Sequence, residues 1–495
     1  MLRKVYIISL FLIILASTLI GATCGGGTKS NQKQLPEITL TMWGLFDDNE
    51  VFDPIIKNYQ SSHPNIKINY VKKDYNEYEL ITSEALAAGE GPDIWSIEND
   101  WMPRHYKKLQ SMPDSLLSSE EKGKSDLDIL KMTFPSIAIE DNVIDNKIYG
   151  MPMSIDTLAL YYNTDIFSAK KSELNRNNKG NEAIILEQPP SDWIQFITIS
   201  KMLTVKNGNE IVQAGSALGT SNNIDKSNDI LYALMLQNNT PMVSADMQTA
   251  TFNLSVPKAS GGVVYPGTNA LDFYTSFSNP SKEVYTWNNS MPNSVQAFMD
   301  GKVAMIIHYS YIQKRFAQEK PTLNYAIGPL PQIKGTSNPV DFSSYWVETV
   351  TKNSKYPKEA WDFVVYCATK AAGSYANATK RPEPNIVIQS SLPQNLEQRI
   401  EKKGNAFNYQ KMTAKNWYKG LRPDKVNTIF STMIENVNSG QPQQSAIDSA
   451  ATAVTSLLKE STPINRGIMN ETIPESTSTT TPSPTSAATP EPNST

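Results

Sequence analysis

The pattern of apolar and polar residues near residue 38 predicts a strand followed by a helix. Ile38, Leu40 and Met42 alternate with polar residues, which is the period of a strand with one buried face. Further on, four apolar residues recur at the spacing of one helix face: Phe52, Ile55, Ile56 and Tyr59. The His63-Pro64 pair is expected to end this helix, because proline disfavours helical backbone in the residue before it.

A second alternating run completes the unit. In the segment NIKINYV, the apolar side chains of Ile66, Ile68 and Tyr70 again fall on one face. A strand, a helix and a strand within ~35 residues is the pattern of a parallel βαβ unit. The sequence therefore predicts an α/β fold.

Three later segments repeat this pattern. A Gly-Pro turn precedes an apolar strand near Asp93–Ile97, and the Pro-Ser-Asp run ending at Asp192 is typical of a helix start. A short helical segment then runs into Gly301 and the apolar strand Val303–Ile307. These segments fit buried parallel strands with helical crossovers.

Size and charge narrow the class of protein. The chain has 495 residues, of which 39% are hydrophobic and 19% charged, so it can bury a sizeable core and is expected to form two lobes. The net charge of -4 provides no basic surface of the kind that nucleic acid requires. We therefore expect no nucleic-acid partner.

The first 24 residues have the layout of an export signal. Arg3 and Lys4 precede an apolar run from Val5 to Ile20, followed by small residues and Cys24. The segment resembles a bacterial lipoprotein signal, which implies that Cys24 is lipidated and anchors the chain at the outer face of the cytoplasmic membrane. Gly21 and Thr23 depart from the usual residues of that motif, and an uncleaved signal anchor remains the alternative.

Polar segments flank the predicted folded region. Residues 25–34 read as a flexible tether, and residues 471–495 are rich in Ser, Thr and Pro and are predicted to be disordered. Besides Cys24 the chain has one cysteine, Cys367, which shares a helical face with Ala360, Phe363 and Val364. We interpret Cys367 as a core residue rather than a nucleophile.

The order of several segments resembles a known family. The segments are WGLFDDNEVFDPIIKNYQSSHPNIKINY, GEGPDIWSIENDWM, IYGMPMSIDTLALYYNTDIF, PPSDWIQFITISKML, AFMDGKVAMIIHYSY, NYAIGPLPQ and SSYWVETVTKNSKYPKEAWDFVVYCATK. In this order they resemble the extracellular solute-binding proteins of family 1, the sugar-binding receptors of bacterial ABC importers. The resemblance covers nearly all of Ile38–Leu458.

The resemblance implies a two-lobed, type II periplasmic-binding-protein-like fold with a ligand cleft between the lobes. The chain would cross between lobes near Met153–Leu158, Val303–His308 and Ser343–Val347. The first lobe would comprise residues 35–153 and 306–342, and the second residues 158–302 and 346–470. A monomer that closes on a mono- or oligosaccharide would then deliver it to ABC permease subunits.

The chemistry of sugars suggests which side chains would line such a cleft. Sugars present apolar ring faces edged by hydroxyls, so a receptor needs aromatic side chains beside carboxylates, amides and hydroxyls. Ligands of open α/β sheets bind at strand ends. The candidates at such positions are Trp43, Asp47, Glu98, Asn99, Asp100, Trp101, Ser154, Asp156, Tyr309, Tyr345 and Trp346.

Packing explains some of these residues equally well. Trp43 could simply cover the core at the end of its strand, and Asp47 could be merely a turn or helix-start residue rather than a ligand contact. Arg381 could pair with an acidic ligand group or form an exposed salt bridge.

The sequence also bears on functions other than a receptor. The chain has 3 histidines, far apart in sequence, and none of the common metal-binding or nucleophile motifs, so we expect no metal or cofactor and no catalytic residues. A secreted carbohydrate-active enzyme is the alternative, with carboxylates such as Glu98, Asp100 and Asp156 in the cleft. A structural or adhesive surface lipoprotein is a third possibility.

Overall fold

The computed structural model describes residues 35–460, except residues 121, 122, 209, 259 and 387–405. The predicted signal segment with Cys24, the tether 25–34 and the tail 471–495 lie outside the described residues. Among the described helices, none has the length and apolar character needed to cross a bilayer.

Seventeen helices of the α type are present in the described part of the chain. They are α1 Asn49–Ser62, α2 Tyr78–Ala88, α3 Met102–His105, α4 Asp126–Thr133, α5 Ser136–Asn142, α6 Thr164–Arg176, α7 Gly180–Ala183, α8 Trp193–Leu203, α9 Ser227–Gln237, α10 Pro266–Ser276, α11 Ser294–Met299, α12 Ile312–Glu319, α13 Pro357–Ala368, α14 Ala372–Thr379, α15 Ala406–Gln410, α16 Pro423–Asn438 and α17 Gln443–Leu458. Short 3₁₀ turns cover Asn99–Trp101, Tyr106–Lys108, Ser118–Glu120 and Ile184–Leu186.

The strands are short, and many have only two residues. They are β1 Ile38–Gly44, β2 Ile66–Lys72, β3 Ile94–Glu98, β4 Leu109–Gln110, β5 Val143–Ile144, β6 Lys147–Ile148, β7 Met151–Pro152, β8 Ala159–Asn163, β9 Val205–Asn207, β10 Glu210–Gln213, β11 Val256–Pro257, β12 Val263–Val264, β13 Met305–His308, β14 Tyr325–Gly328, β15 Asp341–Phe342, β16 Trp346–Thr351 and β17 Ala414–Lys415.

The first sheet contains the predicted βαβ unit. Its strand order is β2-β1-β3-β16-β4, and β7 also pairs with β16. Strand β1 runs parallel to β2 and to β3, which confirms the parallel unit. The intervening helix α1 buries the predicted face of Phe52, Ile55, Ile56 and Tyr59 and ends one residue before His63.

The second sheet corrects one prediction. Strand β13, which covers most of the predicted Val303–Ile307 run, is antiparallel to β8, and β14 pairs antiparallel with the other edge of β8. The prediction of a parallel strand was wrong here because an apolar run indicates burial but does not fix the direction of the neighbouring strands.

Two separate clusters of buried apolar side chains form the cores of two lobes. The first core draws on residues from Ile38 to Ile155 and from Tyr345 to Tyr375, with Ala414. The second core draws on residues from Leu158 to Phe342 and from Phe407 to Leu458. Cys367 is fully buried in the first core, as a core residue should be.

These cores correct the predicted division of the chain. Residues 306–342 belong to the second core rather than the first, because β13 and β14 pair with β8. Residues 346–375 belong to the first core rather than the second, because β16 pairs with β3. The predicted lobes therefore had these two segments exchanged.

The positions where the chain changes core follow from this correction. One change falls between Ile155 and Leu158 and another between Phe342 and Tyr345, both within predicted crossings. No change occurs near residues 303–308, where both sides belong to the second core. A third change falls between Tyr375 and Phe407, a range that includes undescribed residues. Beyond it, Ala414 of β17 belongs to the first core and Trp417 to the second.

Candidate functional site

The largest cavity among those found at the junction of the two cores has a volume of about 470 Å³. Loops at the ends of β1, β2, β3 and β16 line one side, and the start of α9 and helix α12 line the other. Its residues include Phe46, Tyr75, Glu98, Met153, Ser154, Asp156, Lys226, Tyr311, Lys314, Arg315, Gln318, Ser344, Tyr345, Trp346, Glu348, Tyr375 and Arg381. We call this space the main cleft.

Three aromatic side chains form a wall on the first-lobe side of the main cleft. The ring of Phe46 lies 5.4 Å from that of Trp346 and 5.7 Å from that of Tyr75, measured between centroids. Phe46 and Tyr75 are 42% and 51% exposed, so this apolar surface faces the cleft rather than a core. We call these three residues the aromatic wall.

Phe46 adopts an unusual backbone conformation. Its φ is 62°, a left-handed value that costs a side chain other than glycine about 1 kcal/mol or more. Lys226, across the main cleft, also has a positive φ of 64°. Strained backbone on both sides of one cavity is typical of a functional site.

The second-lobe side carries cations and a stacked pair of tyrosines. The Tyr309 and Tyr311 rings are stacked with centroids 6.1 Å apart. The ammonium group of Lys226 lies 5.8 Å from the centre of the Tyr311 ring. Of these two tyrosines only Tyr311 lines the main cleft, because the Tyr309 side chain is buried and its hydroxyl donates to Asp229 Oδ2 at 3.0 Å.

Glu98 lies at the end of β3, where the main cleft meets a second cavity. Burial of this carboxylate raises the pKa of Glu98, and neighbouring Asp100 raises it further, while Lys226 and Lys419 act in the opposite direction. The Ser344 hydroxyl donates to Glu98 Oε1 at 2.9 Å. Glu98 thus lies where four polar groups from both lobes meet.

Asp156 and Ser154, in the first segment that joins the lobes, hold the chain in place. The Asp156 carboxylate accepts hydrogen bonds from the backbone N–H and hydroxyl of Ser310 and from the N–H of Thr157. The Ser154 hydroxyl donates to the carbonyl of Pro382 at 2.7 Å. Both residues line the main cleft, but protein groups already occupy their polar atoms.

Asp47 is engaged in a buried ion pair. Its Oδ2 accepts from Arg381 Nη1 at 2.7 Å and from the Tyr375 hydroxyl at 2.7 Å. Asp47 is only 5% exposed and lines a small adjoining cavity of about 30 Å³. Asp47 therefore orients Arg381, which lines the main cleft, and the expected exposed salt bridge of Arg381 is largely buried.

Asn99 and Tyr345 belong to a buried network. The Asn99 side-chain amide donates to Asp141 Oδ2 at 2.9 Å, and the Tyr345 hydroxyl donates to the same oxygen at 2.8 Å. Both residues also border cavities at the junction of the lobes. Their buried polar atoms serve to fix the loop after β3 against β16.

The remaining candidates are placed differently. Trp43 is half-buried against the first core, lies under the ammonium group of Lys73, and does not line the main cleft. Trp101 is buried with its ring 5.2 Å from that of Trp346 and borders a separate cavity of about 310 Å³. Asp100 borders that cavity and another of about 250 Å³, where it accepts from Lys419 Nζ at 3.1 Å.

The described side chains include no cluster of three or more His, Cys, Asp or Glu that could hold a metal ion.

Comparison with known sequences identifies the family. The model of a family described as bacterial extracellular solute-binding protein matches residues 54–394. This chain belongs to that family. Its fold is the two-lobed type II arrangement of periplasmic binding proteins.

Individual relatives of this solute-binding protein are distant in sequence. A binding protein of Brucella abortus (strain 2308) is 22% identical over 316 residues, which cover 63% of this chain and 66%, just under two thirds, of the relative. The galactooligosaccharide-binding protein of Bacillus subtilis (strain 168) is 22% identical over 71% of this chain and 74% of its own. The sugar-binding protein MalE of Xanthomonas citri has a similar structure, with a TM-score of 0.65, 17% identity and coverage of 85% and 98% of the two chains.

Several residues of the solute-binding protein's cleft were missed in the sequence. Tyr75 follows β2 by three residues, so its strand-end position was a usable signal. Phe46 follows β1 by two residues and gave the same kind of signal. Tyr311 follows β13 by three residues and so had the same signal. Lys226 gave none, because it follows no strand closely and directly precedes α9 of the second lobe.

Proposed function

We propose that this protein is an extracytoplasmic receptor that binds a carbohydrate in the main cleft and presents it to an ABC importer. The observation that carries the proposal is the aromatic wall of Phe46, Tyr75 and Trp346, which faces polar groups across a cavity of about 470 Å³. A volume of this size is typical of sites for small organic ligands.

The two sides of the main cleft suit the two kinds of surface on a sugar. The aromatic wall offers flat apolar faces for the C–H surface of a ring. Glu98, Lys226 and Arg315 offer acceptors and donors for hydroxyls at its rim. The relatives named for galactooligosaccharide and sugar binding support the same class of ligand.

Closure of the two lobes is the proposed signal to the importer. Three ion pairs join groups of the two lobes among the described residues: Asp100 with Lys419 and Arg104 with Asp424, each at 3.1 Å, and Lys314 with Asp48 at 3.8 Å. A ligand that contacts the aromatic wall and Lys226 at the same time would favour this closed arrangement over an open one. The family's extracellular location supports partnership with permease subunits.

The anchor and the oligomeric state are also part of the proposal. We infer that Cys24 carries a lipid and that the tether 25–34 holds the folded lobes near the outer face of the cytoplasmic membrane. The receptor would act as a monomer, because both sides of the main cleft come from one chain. Mass spectrometry of the N-terminal peptide and light scattering test these two statements.

A ligand screen tests the function itself. The purified protein is heated with mono- and oligosaccharides, and a sugar that binds the folded state must raise the melting temperature. Isothermal titration then gives Kd for each hit. Peptides or polyamines that raise the melting temperature where no sugar does would overturn the carbohydrate assignment. Steady release of reducing sugar from a bound oligosaccharide would instead support an enzyme that uses cleft carboxylates.

A further inference from the structure

Glu98 borders three cavities that lie between the two lobes. One is the main cleft, and another is the cavity of about 310 Å³ beside Trp101. The third has a volume of about 250 Å³, and we call it the polar cavity because Asn, Ser, Asp and Lys side chains dominate its lining. Lys226 and Lys419 of the second lobe line the polar cavity with Glu98. Opening of the lobes would move these groups away and expose Glu98 to water.

The cations near Glu98 are held by other groups. Among the described residues, no cationic side chain forms an ion pair with Glu98. The Lys419 ammonium group donates to Asp100 Oδ2 at 3.1 Å. The Lys226 ammonium group lies 5.8 Å from the centre of the Tyr311 ring. Glu98 is therefore enclosed between the lobes without a direct counter-ion.

The contacts of the Glu98 carboxyl group suit both its ionised and its neutral form. In the part of the chain that the structure describes, this group has one hydrogen bond, with the Ser344 hydroxyl at 2.9 Å. A hydroxyl can donate to a carboxylate or accept from a carboxylic acid. Asp100 lies two residues further on, and its negative charge opposes ionisation of Glu98. Burial, with Asp100 as the next cause, raises the pKa of Glu98 to about 7.

The other titratable groups that line the polar cavity are Tyr75, Asp100, Lys226, Asp229 and Lys419. Asp229 accepts a hydrogen bond from the Tyr309 hydroxyl, within the second lobe. Burial raises the pKa of Tyr75 to about 12, so this phenol stays neutral at the pH values where Glu98 titrates. Glu98 is thus the group of this cavity whose raised pKa lies near neutral pH.

The direction of the coupling follows from what opening removes. Opening removes the burial of Glu98, which is the largest cause of its raised pKa. It also removes Lys226 and Lys419, but these two lysines act to lower the pKa, and their effect is smaller than that of burial. The closed form therefore binds the proton more tightly than the open form. Closure becomes less favourable as the pH rises from about 4.5 to about 7.

We propose that Glu98 is a proton-binding site that links closure of the two lobes to pH. In the closed receptor Glu98 is a neutral carboxylic acid, and on opening its O–H bond breaks and the proton passes to water. A fall in pH then favours the closed form that holds the ligand. This assignment rests on the proposed receptor function, in which a bound ligand closes the lobes.

Proton uptake on sugar binding tests the proposal. Maltotriose, galactobiose and mannobiose are titrated calorimetrically into the protein in buffers of different ionisation enthalpy. With the sugar that binds, the native protein should take up nearly one proton at pH 6 and almost none at pH 8, and Kd should be about tenfold lower at pH 6. Glu98→Gln keeps an acceptor for Ser344 but has no acid to titrate. Its proton uptake should vanish, and its Kd should not change between these pH values.

Two further variants keep the result decisive. Asp100→Asn removes the neighbouring negative charge, so the midpoint of the pH dependence should fall, and this holds even if Glu98→Gln does not fold. Glu90→Gln, at an exposed site of the first lobe, is the matched control and should follow the native profile. Proton uptake that persists in Glu98→Gln would assign the proton to another carboxyl group, such as Glu348 or Asp156, and would overturn the proposal.

Small-angle scattering separates this proposal from the carbohydrate function. The radius of gyration of the unliganded native protein should increase from pH 6 to pH 8, and that of Glu98→Gln should stay constant. If no sugar binds but the radius follows this pattern, the carbohydrate assignment fails and the proton site stands. A native protein whose radius and Kd values do not respond to pH would overturn the proton site and keep any sugar binding that is measured.

Discussion

The carboxylate of Asp156 is bound by Ser310, 154 residues further along the chain, through its backbone N–H at 2.9 Å and its hydroxyl at 2.7 Å. Asp156 lies where the chain passes from the first core to the second, and Ser310 follows β13 of the second lobe. This contact ties the passage between the lobes to the second lobe.

The first prediction concerns this contact. Asp156→Ala should lower the free energy of unfolding by about 2–4 kcal/mol, because buried N–H groups of Ser310 and Thr157 lose a charged acceptor. Urea unfolding at pH 8 measures the change. Asp114→Ala, at an exposed position, is the control and should have little effect. An unchanged urea midpoint for Asp156→Ala would show that the contact does not stabilise the fold.

The second prediction concerns Glu348 on β16. Burial raises the pKa of Glu348 from 4.5 to about 7. The hydrogen bond from Ser96 acts to lower this pKa, and the negative charge of Asp47 acts to raise it. The folded state then binds this proton more tightly than the unfolded state, so the contribution of Glu348 to stability falls as the pH rises from about 4.5 to about 7.

Glu348→Gln should remove that contribution to the pH dependence while keeping an acceptor for Ser96. The variant should be more stable than the native protein at pH 8, by up to about 3 kcal/mol, and the difference should shrink at pH 5. Thermal and urea unfolding at several pH values measure this. Glu90→Gln, at an exposed site, should follow the native profile. A Glu348→Gln variant that is less stable at pH 8 would contradict the raised pKa.

The third prediction concerns the backbone strain at Phe46. At a φ of 62°, glycine avoids the cost that any side chain with a Cβ meets. Phe46→Gly should therefore be more stable than Phe46→Ala by about 1 kcal/mol, although both lose the contacts with Tyr75 and Trp346. Tyr75 has no positive φ, so its Gly variant should be less stable than its Ala variant. The same order of stability at both positions would contradict the strain.

The fourth prediction concerns the aromatic wall. Tyr75→Ala should weaken binding of the best oligosaccharide from the ligand screen by about tenfold or more, because the ring buries apolar sugar surface. Tyr265→Ala removes a ring that is 43% exposed and lies outside both cavities, and it is the matched control. Titration calorimetry measures both. An equal loss of affinity in the two variants would place the ligand away from the wall.

Several residues that line the main cleft could be predicted from the sequence. Glu98, Ser154, Asp156 and Trp346 all line the main cleft, because strand ends and lobe crossings are visible as local changes in pattern. Trp43 also lies at the end of a strand but does not line the main cleft, because the end of a strand does not show which face of the sheet meets the other lobe. Tyr309 and Tyr311 are two residues apart, and only the packing of α12 decides that Tyr311 lines the cleft.

The sequence by itself determined the local elements. Alternation fixed β1 and β2, and helical spacing fixed α1 and the buried face of Cys367, because these patterns depend on residues a few positions apart. The tertiary structure alone decided which lobe holds β13 and β16. It also placed the Asp47 carboxylate beside Arg381, 334 residues away, because a contact between residues so far apart in sequence depends on the tertiary fold.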